Sequence, residues 1–409
     1  MTADELPIRT ATPDDWGAIS RLLSSAFNEA FDEERNRVEH GIYEPERCLV
    51  ATDGADVVAN AGVFTRDLTV PGAVVPAAHV TMVGVAPTHR RRGLLRRLMG
   101  RQLRDVRAAG ESLALLWASE ARIYQRYGYG LATAKLSLEI DTREVRLPPA
   151  ASVAGRLRGA EPASARNELA KVYEQLRAER PGYSSRDERW WAYVLADVAS
   201  RRHGGTERRA LLHDGPAGMD GYALWRAKPS WDWDGPRGEV QVDELMATTL
   251  ESYVALWRFL LSVDLTRTTH YWFGAVDEPL LHLVNEPRRL GGRLGDGLWV
   301  RLTDVAAALA ARRYAAAVDV VFEVTDELLP ENAGRWRLVA DASGAQCRRT
   351  GDPADLACDV SALGAVYLGG PSLGALAAAG RVRELRPGTL AGASTAFGWH
   401  RAPSAVEIF

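Results

Sequence analysis

The hydrophobic pattern changes period several times along the chain, and each change marks an element. Residues 8–12 read as a short strand. Thr12, Pro13, Asp14 and Asp15 then offer a cap, a first-turn proline and acids suited to a helix N-terminus, which predicts a helix running to about residue 27. Residues 48–52 and 57–69 alternate as hairpin strands around Asp53-Gly54, and residues 80–85 form a further β-rich run. From Gly93 the period becomes helical. Leu94, Leu95, Leu98, Met99, Leu103 and Val106 recur on one face, with Arg96, Arg97, Arg101 and Arg104 between them, as far as Gly110. Residues 113–118 are a continuous apolar strand, and residues 131–140 a second one.

Residues 150–205 are rich in Arg and Glu and read as helical, with Pro148-Pro149 as a linker. Strands over 210–213, 221–226 and 239–246, a helix over 250–263 and a strand over 269–276 then weakly repeat the order of the first region. After Gly291-Gly292 a third unit begins at Leu298, with strands at 317–324 and 335–340 and a short helix at 372–379.

Composition narrows the chemistry. A chain of 409 residues exceeds one ordinary domain, so two or three are expected. A net charge of −3 and a 46% apolar content suit a globular protein and advertise neither a nucleic-acid partner nor a membrane. Only Lys135, Lys171 and Lys228 are lysines, and none is followed by Ser or Thr, which excludes a Walker-type phosphate loop. No His precedes a Glu, so the HExxH zinc proteases are excluded too. Cys48, Cys347 and Cys358 form no CxxC pair, so a metal centre is not expected and a reducing cytoplasm fits. Asp4, Glu5 and Arg9 precede any apolar stretch, against a secretory leader.

The stretch from Val83 to Leu95 carries the chemistry: a strand, the basic turn Thr88-His89-Arg90-Arg91-Arg92-Gly93, then a helix. Backbone N–H groups at such a helix start lack intrahelical partners and point the same way, and the helix dipole adds positive charge, so a pyrophosphate can sit there. Arg90 and Arg91 add charge-assisted contacts, Leu94 and Leu95 open the helix, and Gly93 removes the side chain at the turn. Backbone groups of Val83, Gly84 and Val85 are the natural partners for a ligand lying along the strand. A bare arginine-rich surface turn is the competing reading.

Arg90-x-x-Gly93-x-Leu95 after a Val-x-Val strand resembles the acetyl-CoA loop of the GNAT N-acetyltransferases, [Arg/Gln]-x-x-Gly-x-[Gly/Ala], and departs from it at Leu95. That departure resembles the Eis (enhanced intracellular survival) family. Trp117-Ala118-Ser119-Glu120 through Ile123-Tyr124-x-Arg126-Tyr127-Gly128-Tyr129-Gly130 agrees, as does Asp355-Leu356 through Asp359-Val360 to Tyr367-Leu368-Gly369-Gly370. The resemblance spans essentially the whole chain. It implies an α/β (α+β) fold of two tandem GNAT-type mixed-sheet domains followed by a sterol-carrier-protein-like α/β domain. The expected boundaries are 1–147 for the catalytic GNAT domain, 148–297 for a GNAT-like domain without a cofactor site, and 298–409 for the last. No second Arg-x-x-Gly-x-[Gly/Ala/Leu] turn lies in the corresponding place after Met246, in keeping with one cofactor site.

The resemblance further implies acetyl-CoA as co-substrate, with Ser119 added to the cofactor residues. Tyr124 takes the general-acid position, with Tyr127 and Tyr129 as neighbouring competitors, and the Phe409 carboxylate takes the amine proton. Phe27 and Glu29 match the substrate side. Aminoglycosides are the family's substrates and a homohexamer its assembly; protein lysines or polyamine-like amines would use the same chemistry. Two readings compete. Gly370-Pro371-Ser372-Leu373-Gly374 matches the nucleophile-elbow string of serine hydrolases, and a non-catalytic lipid-binding scaffold would use the last domain alone.

Overall fold

Residues 6–148 and 155–409 are described by the computed structural model. Asp4, Glu5 and Pro149 of the expected linker lie outside the described residues. Contact density divides the chain into two units. One holds the chain up to Thr133, Gly297–Pro403 and Ile408–Phe409; the other holds Ala134–Asp296 and Ser404–Glu407.

In the first unit, β1 (Ile8–Thr10) is followed by α1 (Trp16–Phe27), whose buried face includes Trp16, Ile19 and Leu22, and by α2 (Glu33–His40). The strands β2 (Leu49–Asp53), β3 (Asp56–Val70) and β4 (Ala73–Val85) form an antiparallel meander. The amphipathic helix α3 (Leu94–Ala108) then buries Leu94, Leu98, Met99, Leu103 and Val106, and β5 (Leu113–Trp117) returns parallel to β4. A single turn α4 (Ala121–Tyr124) and the two-residue strand β6 (Gly130–Leu131) follow.

The apolar strand expected over 131–140 is divided between the two units. β7 (Ala134–Asp141) belongs to the second unit's sheet, with β8 (Arg156–Ala160), β9 (Arg209–Gly215), β10 (Gly218–Lys228), β13 (Gly238–Ala247), β14 (Thr266–Gly274) and β15 (Arg293–Asp296). β11 (Trp231–Asp232) and β12 (Gly235–Pro236) are a small side hairpin. The helices α5 (Arg166–Arg177), α6 (Glu188–Leu195), α7 (Leu250–Leu260) and α8 (Leu280–Leu283) complete this unit. Here β13, α7 and β14 form a parallel crossover, the counterpart of β4, α3 and β5.

The strand β16 (Leu298–Leu302) was expected to open the third domain. It inserts instead between β5 and β6 of the first sheet, antiparallel to both, giving the order β1-β2-β3-β4-β5-β16-β6. All five of its residues are buried. α9 (Val305–Ala311) then leads into a five-stranded sheet of β17 (Val318–Thr325), β18 (Gly334–Ala340), β19 (Ala345–Arg349), β20 (Leu356–Asp359) and β21 (Val382–Glu384). The helices α10 (Val360–Val366), α11 (Leu373–Ala378) and α12 (Thr389–Phe397) accompany it. No helix of the described residues is long and apolar enough to cross a membrane.

Candidate functional site

The site begins with a break in the first sheet. β4 and β5 are paired only at Ala78–Ala114 and His79–Leu115, although β4 runs on to Val85. Beyond His79 the strands part. Opposite this split the β3–β4 register slips between Asn60 and Gly62, Met82 takes φ +50°, and the Asn60 side-chain amide donates to the Met82 carbonyl at 2.8 Å. The bulge re-aims the end of β4. A cavity of about 860 Å³ is lined by Val83, Gly84 and Val85 from β4, and by Ser119 and Tyr124 beyond the end of β5.

The same cavity is lined by Arg90, Arg91, Gly93, Leu94 and Leu95 of the basic turn. Gly93 is the residue before α3 and sits at φ +80°, a left-handed conformation that disfavours any side chain; a Cβ there would meet nothing within 4 Å. Backbone geometry therefore selects glycine at this position, and it also leaves open space at the helix start. No side chain caps α3. In the second unit, α7 is closed: the Thr249 hydroxyl accepts from Ser252 N–H at 3.1 Å in a capping box. One helix start is available to an anion and its counterpart is occupied.

The arginines differ in what they do. Arg90 donates to the Val85 carbonyl at 3.2 Å and to the Ala26 carbonyl at 2.8 Å, tying the turn to the ends of β4 and α1. Among the described residues the side chains of Arg91, Arg96 and Arg126 enter no hydrogen bond or ion pair, and all three line the cavity. His89 also lines it while bonding Asp53 at 3.1 Å.

Three tyrosines cluster beside α4. Tyr124 is 5% exposed, borders the cavity, and stands edge-on to Tyr129 with ring centroids 5.9 Å apart. Burial, with a smaller contribution from Tyr127, pushes its phenol up to about 12. It therefore holds its proton throughout the neutral range. Tyr127 also lines the cavity, whereas the fully buried Tyr129 does not.

Not every expected residue joins them. Phe27, 44% exposed at the end of α1, lines the cavity. Glu29 lies outside the lining and pairs with Arg35, whose backbone N–H also donates to Asp32, the cap of α2. Phe409 lies outside it too, with its ring 4.7 Å from that of His79, the last β4 residue paired with β5. Burial and the nearby Arg66 hold the His79 ring well below the usual histidine range. Ser372, the nucleophile of the hydrolase reading, is instead the cap of α11, accepting from Ala375 N–H at 3.0 Å.

An acetyltransferase (GNAT) domain model matches residues 7–132, a second one residues 182–302, and a sterol carrier protein domain model residues 305–405. N-acetyltransferase Eis of Mycobacterium tuberculosis is 36% identical over 390 residues, covering 91% of this chain and 92% of that protein. The chain belongs to the Eis family of N-acetyltransferases. The crystal structure of Eis1 from Mycobacterium abscessus has a TM-score of 0.85 at 35% identity, covering 99% of this chain and all of that one. An N-acetyltransferase of Streptomyces avermitilis is 46% identical over 407 residues, 98% of either chain. The protein is thus an Eis-type acetyltransferase with two GNAT domains and a sterol-carrier-type domain, and GNAT acetyltransferases use acetyl-CoA. Within this Eis-family frame, sequence reasoning passed over Arg96, Arg126, His89 and Glu327 as cavity residues. Arg126 lies inside the Ile123-Tyr124-x-Arg126-Tyr127-Gly128 motif. Glu327 carried no signal at all, because its place in the cavity depends on tertiary packing.

Proposed function

We propose that the enzyme transfers the acetyl group of acetyl-CoA to a primary amine of a polycationic small molecule, an aminoglycoside being the acceptor that the family resemblance suggests. One observation carries the reading: an uncapped α3 start, a split β4–β5 pair and a buried tyrosine share one cavity, while the equivalent helix of the second unit is closed.

The residues present fit the cofactor. Leu94 and Leu95 backbone N–H groups and Arg91 would hold its pyrophosphate, and Val83 to Val85 would pair with its pantetheine arm along the unpaired edge of β4. Acetyl-CoA supplies the acyl thioester. Tyr124 holds a proton for the departing sulfur, since its phenol is neutral until about 12. The neutral amine nitrogen bonds to the acyl carbon, the carbon–sulfur bond breaks, the Tyr124 proton goes to sulfur, and the proton lost from nitrogen goes through water to the carboxylate of Phe409, which lies outside the cavity lining. An α-carboxylate is a weak base at about 3.5, so its main contribution is electrostatic, stabilising the positive charge that develops on the attacking nitrogen. Phe27, exposed at the cavity edge, offers the acceptor an aromatic face; Glu29, outside the lining, would serve the acceptor only by giving up its ion pair with Arg35. A cytoplasmic, hexameric enzyme belongs to the same proposal.

The test is a panel of amines, comprising aminoglycosides, spermidine and a lysine peptide, assayed by thiol release. Aminoglycosides are expected to give the highest kcat/KM. Tyr124→Phe and deletion of Phe409 should each lower kcat by about 10²-fold or more. Wild-type turnover in both variants would overturn the chemistry assigned here, and preference for the peptide would move the acceptor to protein lysine.

A further inference from the structure

The sterol-carrier-type domain contributes one residue to the cavity, Glu327. The turn that presents it is rigidly built. The carboxylate of Asp326, next to it, accepts from the backbone N–H groups of Leu328 and Leu329 at 3.1 and 3.0 Å, and from the Asn332 amide at 3.0 Å. Arg301 of β16, its side chain wholly buried, closes the ion pair to Asp326 at 2.6 Å. Leu329 is fully buried in the cluster that holds Met99, Leu103, Tyr124 and Tyr127. Leu328 lies against Gly100 of α3, one helical turn beyond Arg96. Between two anchored neighbours, Glu327 is left exposed on the cavity wall, and among the described residues it enters no hydrogen bond or ion pair.

Its surroundings are positive. Among the described residues the side chains of Arg91, Arg96 and Arg126 have no hydrogen-bond or ion-pair partner, and all three line the same cavity as Tyr127, whose phenol feels the charges of Arg126 and Arg96. The other carboxylate of the lining, Glu120, is paired with Arg122 at 3.0 Å. A polyanion held by three guanidiniums leaves slowly, and a carboxylate carried into the same space on an anchored turn offsets part of that attraction. We infer that Glu327 belongs to the cofactor site and is its electrostatic counterweight: it lowers the affinity of the arginine-lined cavity for the phosphates of CoA and so speeds product release. This rests on the acetyl-CoA reading of the cavity given above.

The experiment is calorimetric titration of CoA into the full-length wild type, Glu327→Gln and Glu323→Gln at low and at high salt. Glu323 is a β17 carboxylate paired with Arg335 and absent from the cavity lining, so it controls for net charge. Glu327→Gln is expected to bind CoA about three- to fivefold more tightly at low salt, with the gain largely lost at high salt, while Glu323→Gln matches wild type. Equal or weaker binding by Glu327→Gln, or an equal gain in Glu323→Gln, overturns the inference. Failure of all three proteins to bind CoA would instead overturn the cofactor reading on which it rests.

Discussion

Arg90 and Arg91 are adjacent in the sequence and have different tasks. Arg90 spends its guanidinium on the Val85 and Ala26 carbonyls, whereas Arg91, at φ +62°, enters no side-chain hydrogen bond or ion pair among the described residues. Replacing Arg90 with Ala should therefore lower thermal stability by about 1–2 kcal/mol through two lost hydrogen bonds. Arg91→Ala should leave unfolding unchanged and raise the KM for acetyl-CoA, more at low salt than at high. Thermal melts and a salt series of KM on both variants check the division; identical behaviour would contradict it. Tyr124 gives a pH prediction. With its phenol pushed up to about 12, the proton donor is lost only as pH rises through that value, so kcat should show no Tyr124-dependent fall between pH 7 and 9. A descending limb in that window, absent in Tyr124→Phe, would count against the assignment.

At the level of elements, the two crossovers differ at one helix start. Thr249→Ala removes the α7 cap and should cost about 1 kcal/mol without moving the KM for acetyl-CoA, as denaturant melts and kinetics would read. The contrast was legible in part: Gly93 before α3, and Thr248-Thr249 with no arginine–glycine turn before α7, are sequence facts, and the periodicity located α1, α3, β5 and α7 closely. The divided strand was not legible. Residues 131–140 are apolar enough for a core strand, but which sheet they join depends on partners more than a hundred residues away. β7 pairs with β14 and β15, and β6 pairs with β16. Close packing fixes the latter join, because a Cβ on Gly130 would lie 1.9 Å from the Ser361 carbonyl oxygen and one on Gly364 2.2 Å from that of Val300. Gly130→Ala or Gly364→Ala should therefore give largely insoluble protein.

At the scale of the whole molecule, β16 is the strand that makes sequence domains and structural units disagree. The first sheet takes a fully buried strand from residues 298–302, so a fragment ending at residue 133 lacks the partner of both β5 and β6. Such a fragment should aggregate, while residues 1–133 joined by a short linker to 297–403 should fold cooperatively, as circular dichroism and melting would show. The second unit supplies a pH test. Glu278 is buried, donated to by the Tyr253 hydroxyl, and burial pushes its carboxyl up to about 7 from 4.5. A raised folded-state value means that stability is full below about 4.5 and is lost as pH rises through 7. Glu278→Gln should therefore stabilise the protein at pH 8.5, on the order of 2–3 kcal/mol, and have little effect at pH 4.5. An equal gain at both pH values would refute this account.

Local chemistry encodes the helical face of α3, the glycine that its left-handed turn demands, the basic turn beside it, and through its motifs the Eis-type architecture, all of which can be read from the chain alone. The tertiary structure alone decided which residues share the cavity. Tyr124 and Arg126 enter it through the turn after β5, Glu327 through a buried Arg301–Asp326 pair anchored on β16, a strand that the first sheet takes from residues 298–302, and Glu29 is diverted to Arg35. Periodicity reports which face of an element is buried, but pairing partners and cavity walls depend on residues distant in the chain, and these meet only when the sheets close.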